Sequence, residues 1–166
     1  MSLIKRSYKY RMYPNKTQEE LLAKTFGCVR VIWNACVDSF NSYDKETNPN
    51  PKFPTKSDLV IEKLWLNEVS AATLQQKQRD FIEFSKQYFN KNRKEKIGKP
   101  NYKNKHDNQS FRLPFPKFKI TDNKIRIEKI GWVKIVIDRE IPDNARFISC
   151  TVSKNRAGQY FVSVLV

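Results

Sequence analysis

The residues with the clearest chemical potential are cations in the stretch from Lys86 to Lys105, in which Glu95 is the one acidic residue. The aromatic residues Tyr88, Phe89 and Tyr102 are interleaved with these cations. Cationic side chains neutralise phosphates, and aromatic rings stack on nucleobases. The pattern therefore predicts contact with a nucleic acid. The residues expected to make it are Lys91, Arg93, Lys94, Lys96, Lys99, Lys103 and Lys105.

Residues suited to catalysis are scarce. His106 is the single histidine and lies in a polar basic loop, so neither a catalytic base nor a zinc site is expected. The four glycines form no phosphate-binding loop and no nucleophile elbow. Asp138, Glu140 and Asp143 are close in sequence, but their segment is typical of a turn rather than of carboxylates converging on Mg²⁺. The sequence thus predicts binding without catalysis, with no metal and no cofactor.

The overall charge indicates a polyanionic partner. Thirty-two Lys and Arg face 17 Asp and Glu, which leaves a net charge of +15 that repels itself in a compact chain. No run approaches the roughly 18 apolar residues of a membrane-spanning helix. The N-terminus lacks the apolar core of a signal peptide. We expect a cytoplasmic protein without membrane contact.

The three cysteines are not expected to form disulfides. Cys28, Cys36 and Cys150 are an odd number and include no CxxC pair. Disulfides are not expected in the cytoplasm. Cys28 and Cys36 lie within a helical pattern and are expected to fill a core.

The N-terminal cations are positioned by a predicted strand over residues 3–13, which Pro14 ends. Alternation with period two divides the strand into two faces. The face expected to be buried contains Ile4, Tyr8, Tyr10 and Met12. The outer face presents Lys5, Lys9, Arg11 and Tyr13, of which the three cations are further candidates for nucleic-acid contact.

A long helix follows, starting at Asn15 or Thr17 and fading near Asp44. Thr17-x-x-Glu20 has the spacing of a capping box. Apolar residues at steps of three and four predict one continuous buried stripe. This stripe contains Leu22, Phe26, Val29, Trp33, Cys36 and Phe40.

Two shorter helices are predicted after this one. Three prolines within residues 48–54 predict an extended connector. Ser57 is expected to cap a short helix through about Leu64. A third helix is expected from near Asn67 to about Lys94.

Period two returns after Ser110 and predicts four to six strands. The segments with the clearest alternation are Lys124–Glu128, Trp132–Ile137, Phe147–Ser153 and Tyr160–Val166. Asn155–Gly158 is predicted to be a hairpin turn.

The element order indicates an α+β fold. We predict a small antiparallel β-barrel interrupted after its first strand by a helical insertion of about three helices, since closure would remove exposed strand edges. The barrel would contain residues 1–14 and 106–166. The insertion would contain residues 15–105, including the basic segment 86–105.

Several short segments, taken together and in order, resemble the OrfB/TnpB proteins encoded by insertion sequences. Each is weak alone, but their order and spacing cover nearly the whole chain. The segments are Tyr8–Leu22, Phe26–Asn34, Trp65–Val69, Leu74–Gln76, Pro100–Lys105, Ser110–Arg112, Ile130–Lys134, Val152–Lys154 and Gly158–Val164.

The resemblance implies the N-terminal part of an RNA-guided DNA endonuclease related to type V CRISPR effectors. It implies a wedge-like barrel and a recognition lobe that bind guide RNA and double-stranded DNA and read a short DNA motif. By position, Phe53, Ser57 and Gln75 correspond to motif readers, and a Gln amide can pair bidentately with adenine. Two neighbouring reader positions hold Ala71 and Ala72, which implies a changed or weakened motif preference.

The family continues into a RuvC-like nuclease with an acidic triad and a zinc ribbon, whereas this sequence ends at Val166. No nuclease activity of its own is therefore expected. A decayed transposon gene, half of a split protein and a repurposed binder are all compatible with this end. One alternative is a split effector completed by a separate nuclease polypeptide. Another is a helix-turn-helix DNA-binding repressor that uses helices within residues 17–94 without RNA.

Overall fold

An antiparallel sheet and a group of helices make up the computed structural model, which describes residues 3–166. The predicted α+β class is confirmed. The strands are β1 Ser7–Tyr13, β2 Gln109–Pro114, β3 Phe118–Thr121, β4 Lys124–Ile127, β5 Gly131–Val136, β6 Ser149–Lys154 and β7 Tyr160–Leu165. The helices are α1 Lys16–Asn41, α2 Lys56–Leu59, a 3₁₀ helix Leu64–Glu68 and α3 Ala71–Tyr88.

The chain divides into two compact units. The sheet unit contains the residues up to Phe26 together with Lys105–Val166, and the helical unit contains Gly27–Asn104. Helix α1 begins in the sheet unit and ends in the helical unit. The identification of residues 1–14 with 106–166 as a wedge and of 15–105 as a recognition lobe stays a prediction, and residues 1–2 lie outside the described chain.

The sheet is curled but open. Its strand order is β2-β6-β7-β1-β5-β4-β3, so β2 and β3 are the edges although they are consecutive in sequence. Three residues, 115–117, join them and span roughly 15 Å at most, whereas a flat sheet of this width would separate its edges by roughly 29 Å. The sheet must therefore bend until its edges approach. The predicted closure into a barrel is not observed, because β2 pairs only with β6 and β3 only with β4 among residues 3–166.

The concave face of the sheet forms the core of the sheet unit. Tyr8, Tyr10 and Met12 are buried as the alternation predicts. Ile4 is 73% exposed, so its predicted burial is wrong. The reason is that backbone pairing with the C-terminal strand reaches only to Arg6, which exchanges two hydrogen bonds with Val166, so Ile4 has no neighbouring strand to pack against. Phe26 on α1 covers this face and packs on Phe111 with ring centroids 5.3 Å apart.

The start of α1 is capped by Asn15, the first of the two predicted candidates. The Gln18 backbone N–H donates to Asn15 Oδ1 at 2.9 Å, and the Asn15 N–H donates to Gln18 Oε1 at 3.0 Å. This reciprocal pair is a capping box two residues earlier than the predicted Thr17–Glu20 box. Gln18 Nε2 also donates to the Trp132 carbonyl at 2.6 Å, so one side chain joins the helix start to β5.

The predicted stripe of α1 is confirmed except that Trp33 is only half-buried. Cys28, Ile32 and Val37 are buried as well, so the helix is covered over a wider arc than a simple surface helix. In the helical unit Phe81 of α3 contacts the Trp33 and Phe53 rings, with centroids 4.8 and 5.0 Å away.

The short helix α2 begins two residues before its predicted start and ends earlier, at Leu59. Thr55, not Ser57, is the cap, because Thr55 and Asp58 form a reciprocal capping box. These bonds from backbone and hydroxyl hold the pKa of the Asp58 carboxyl below its usual value. The 3₁₀ helix Leu64–Glu68 separates α2 from α3, which moves the α3 start from near Asn67 to Ala71.

Helix α3 ends at Tyr88, well before the predicted Lys94. Local side-chain bonds compete with helix continuation after this point. The Asn92 N–H donates to Asn90 Oδ1, and Arg93 reaches back to Gln87 Oε1. Residues 89–105 of the predicted basic segment are therefore turns and irregular chain rather than helix.

Free thiols are confined to the interior, as predicted for Cys28 and Cys36. Cys28, Cys36 and Cys150 are all buried and unpaired. Burial raises the pKa of the Cys28 thiol to about 11 and the pKa values of Cys36 and Cys150 to about 12. Of the helices in residues 3–166, none is long and apolar enough to cross a membrane.

We expect the native protein to resist thiol labelling at pH 8, since buried thiols with raised pKa values form almost no thiolate. Ellman's reagent should react at once with all three cysteines in guanidinium chloride and with none in native buffer. Rapid modification of the folded chain would contradict the burial described.

Candidate nucleic-acid interface

The convex face of the sheet is basic and free of acids. Residues paired directly across strands share a face, and the register places Lys9 and Arg11 on the same face as the cations of β2, β3, β4 and β5. Within residues 3–166, no strand contains Asp or Glu. The cations on this face are Lys9, Arg11, Arg112, Lys119, Lys124, Arg126 and Lys134.

Two pairs of like charges lie directly opposite each other on this face. Lys119 is paired with Arg126 between β3 and β4, and Lys124 is paired with Lys134 between β4 and β5. All four side chains are exposed, and none has an acid partner among the described residues. Like charges in this position destabilise a sheet. The convex face therefore carries an electrostatic cost that a bound anion would relieve.

Aromatic rings lie among these cations. Phe161 on β7 has Lys9 Nζ at 4.6 Å and the Arg11 guanidinium carbon at 5.5 Å from its ring centroid. Arg11 also lies 5.0 Å from the centre of the Tyr13 ring, and its buried Nε has no acceptor within the described chain. These contacts orient the Arg11 side chain along the sheet, because a guanidinium stacks favourably on ring faces. Lys5 is exposed and precedes β1.

The second group of predicted cations lies in the basic segment, whose end is held against α1 at Lys103. Asn34 on α1 binds the backbone of Lys103 at two points. The Lys103 N–H donates to Asn34 Oδ1 at 2.8 Å, and Asn34 Nδ2 donates to the Lys103 carbonyl at 3.0 Å. The Asn34 amide thus pairs with both backbone groups of Lys103, as a neighbouring strand would, and holds this part of the chain beside the helix.

Trp33 and Asp38 extend this anchor along α1. Trp33 Nε1 donates to the Asn101 carbonyl at 2.9 Å, and Lys103 Nζ lies 4.3 Å from the Trp33 ring centre. The Tyr102 hydroxyl donates to Asp38 Oδ1 at 2.5 Å, which raises the pKa of Tyr102 because ionisation would break the bond. Lys103 is therefore held against a ring and is half-buried, whereas its neighbours in sequence are exposed.

The other predicted cations of this segment are accessible. Lys91, Lys94, Lys96 and Lys99 are exposed, and their ammonium groups have no hydrogen-bond or ion-pair partner in the part of the chain that the structure describes. Arg93 is exposed but donates to the Glu95 carbonyl at 3.0 Å and to Gln87. Lys105 belongs to the sheet unit, is exposed, and accepts a bond from Gln109 on its carbonyl.

The three predicted motif readers lie in the helical unit. Phe53 is half-buried against Phe81, and its carbonyl accepts a bond from Gln78 Nε2 at 3.3 Å. Ser57 on α2 and Gln75 on α3 are both exposed. Phe53 thus packs inside the helical unit, while the Gln75 amide has no partner among the described residues. Their roles as motif readers stay predictions.

Sequence reasoning missed the cations of β2 to β5. The alternation in Lys124–Ile127 was visible, but nothing in it indicated which strands are neighbours. Lys119, Lys124 and Lys134 become one surface only through the register. Within residues 3–166 no three His, Cys, Asp or Glu side chains are grouped as ligands for a metal, and Asp138, Glu140 and Asp143 form no such group.

Comparison with known proteins shows which family this chain resembles. Residues 1–47 match the family model described as the helix-turn-helix domain of OrfB from IS605-type elements. The described part of this segment contains β1 and α1. The whole chain is similar to a protein from Streptomyces pristinaespiralis named as a candidate RNA-guided DNA endonuclease, with 29% identity. The match covers 99% of this chain and 42% of that relative's length. Together these matches confirm the resemblance to the N-terminal part of OrfB/TnpB proteins.

We expect Asn34→Ala to release the basic segment from α1, since it removes both bonds to the Lys103 backbone. At about 1 kcal/mol for each bond, opening of residues 99–105 should rise by roughly tenfold or more. Trypsin cleavage after Lys103 and Lys105, measured in native buffer, reports this opening. Asn101→Ala is the matched control because α1 uses only the Asn101 carbonyl; equal cleavage of both variants would contradict the anchoring role of Asn34.

Proposed function

We propose that this chain is the nucleic-acid-binding portion of a TnpB-like, transposon-encoded RNA-guided protein, and that it binds guide RNA and double-stranded target DNA. The observation that carries the proposal is the acid-free convex face with its two like-charge pairs, Lys119–Arg126 and Lys124–Lys134. The resemblance to OrfB/TnpB proteins supports the choice of RNA and DNA as partners.

The charge pairs favour a polyanion over a protein partner. A single phosphate group between Lys124 and Lys134 would add two attractions that outweigh the repulsion between them, and each condensed counterion released from the nucleic acid adds favourable entropy. An acidic protein would have to supply several carboxylates at fixed positions. A nucleic acid supplies phosphates at regular intervals along any path over the face.

The proposed contacts divide by role. The cations of the convex face and the exposed lysines of residues 91–99 position the nucleic acid by its phosphates. The exposed Trp132 ring is available for stacking on a base. Phe53, Ser57 and Gln75 are proposed to read DNA bases, and Gln75 is the best suited because its amide is exposed and unoccupied.

Cleavage is not part of the proposal, and a separate nuclease polypeptide that completes a split effector stays a prediction. A second candidate function, DNA binding without RNA, is favoured by the description of the family model as a helix-turn-helix domain. The two candidates differ in ligand. Tight binding of duplex DNA by RNA-free protein, with no affinity for RNA, would favour the second.

We expect Lys124→Glu to stabilise the fold and to weaken nucleic-acid binding at the same time. The substitution turns the Lys124–Lys134 repulsion into an attraction worth about 0.2–1 kcal/mol in the free protein. It also removes a phosphate contact, so the affinity should fall and the slope of log K against log salt should become shallower by about 0.7–0.9. Thermal unfolding and fluorescence anisotropy with labelled RNA and duplex DNA measure the two effects.

Lys16→Glu is the control for this experiment, because it changes the net charge equally at an exposed helix position outside the sheet. It should leave the salt slope close to that of the unchanged protein. Equal losses of affinity in both variants, or binding that does not respond to salt at all, would rule out the convex face as the interface.

We expect Gln75→Ala to relax the preference for one DNA motif without changing the salt slope. Loss of a bidentate amide–adenine pair costs about 1–3 kcal/mol of discrimination at that base. Selection of bound duplexes from a randomised pool would show the change at one position. Asn67→Ala, an exposed amide in the 3₁₀ helix, is the control; an unchanged motif preference in Gln75→Ala would remove Gln75 from the reader set.

A further inference from the structure

An aromatic pocket of about 300 Å³ lies in the helical unit, where the C-terminal ends of α1 and α3 meet. This volume is at the lower end of the range for small-ligand pockets. The lining residues are Phe40, Asn41, Tyr43, Tyr88, Phe89 and Lys99.

The aromatic rings of this pocket range from buried at its base to exposed at its rim. Phe40 is buried, whereas Tyr43 and Phe89 at the rim are 41% and 43% exposed. The Phe89 ring centre lies 5.2 Å from Tyr43, 5.0 Å from Tyr88 and 5.7 Å from Phe40. The mutual contacts hold each ring in place before any ligand arrives. Exposed ring faces that are already ordered lose little entropy on stacking.

Two polar groups border the rings. Lys99 is exposed and has no partner in the described chain, so its ammonium is available to an anion. Asn41 Nδ2 donates to the Tyr102 hydroxyl at 3.4 Å, while Asn41 Oδ1 has no donor among the described residues. The pocket thus combines flat aromatic surface, one cation and one amide oxygen.

The geometry points to this pocket as a binding site for one unpaired nucleotide of a single-stranded nucleic acid. The base stacks against Phe89 and Tyr43, the Asn41 amide oxygen accepts a hydrogen bond from the base edge, and Lys99 contacts an adjoining phosphate. Bases within a duplex are already stacked and paired, whereas bases in loops and bulges are free to enter such a site. The inference rests on the proposed function and adds to it a defined recognition element.

The full chain is titrated with ten-nucleotide RNA and DNA strands that contain one 2-aminopurine, a base whose fluorescence falls when it stacks. The same strand in duplex form is the comparison. We expect quenching with the single strand and little with the duplex. Tyr43→Leu and Phe89→Leu keep apolar volume but remove the ring, and each should lower single-strand affinity by about five- to tenfold and reduce the quenching.

Trp65→Leu is the matched control, since Trp65 is 44% exposed in the same unit but does not line the pocket. Lys99→Gln should lower affinity and make the salt slope shallower, whereas the two ring variants should leave that slope unchanged. If the ring variants lose affinity for the RNA strand alone, the bound nucleotide comes from RNA. If they lose affinity equally for the DNA strand, recognition does not depend on the sugar. Either result supports the site.

One result would contradict the pocket, and a different result would contradict the proposed function. Normal binding with unchanged quenching in both ring variants would overturn the pocket and leave the proposed function intact. Absence of binding by the unchanged protein to any of the strands or duplexes would overturn the proposed function itself. Circular dichroism of each variant, compared with that of Trp65→Leu, separates a lost ring contact from a lost fold.

Discussion

Repulsion between the cations paired across β3, β4 and β5 is an energetic cost that the rest of the sheet unit has to offset. A sheet tolerates such pairs only if its other face contributes enough burial to offset them. The concave face does so with fully buried residues such as Ile125, Val133 and Ile135, which alternate with the cations. The same strands therefore hold the fold together on one side and present uncompensated charge on the other.

The curl of the sheet follows from one short connection. Because residues 115–117 join the two edge strands, the seven strands cannot lie flat, and the edges must turn towards each other. Phe115, Phe118 and Phe147 pack together at this corner, with ring centres 5.7 to 6.0 Å apart. Curling makes the outer face convex, which leaves its cations accessible to a long polymer that follows the surface.

Helix α1 has two uses in the helical unit. Residues such as Cys36 and Val37 face the core, while Trp33, Asn34 and Asp38 hold residues 101–103 beside the helix. The basic segment is thus fixed at one end. The conformational entropy of that end is lost when the protein folds, so it does not have to be lost again when a ligand binds. The exposed lysines that precede it retain freedom to adapt to a phosphate backbone.

Composition and periodicity alone determined the α+β class, most of the buried faces of β1 and α1, the burial of Cys28 and Cys36, and the net positive charge, because each depends on local spacing or on a sum over residues. Capping partners, the end of α3 and the cations of β2 to β5 depended on the tertiary structure. Asn15 and Thr17 are both possible caps along the sequence, and in the structure Asn15 pairs with Gln18, which also bonds β5. The sequence does not show that Lys119, Lys124 and Lys134 belong to one surface, because only strand pairing brings these residues to within a few ångströms of each other.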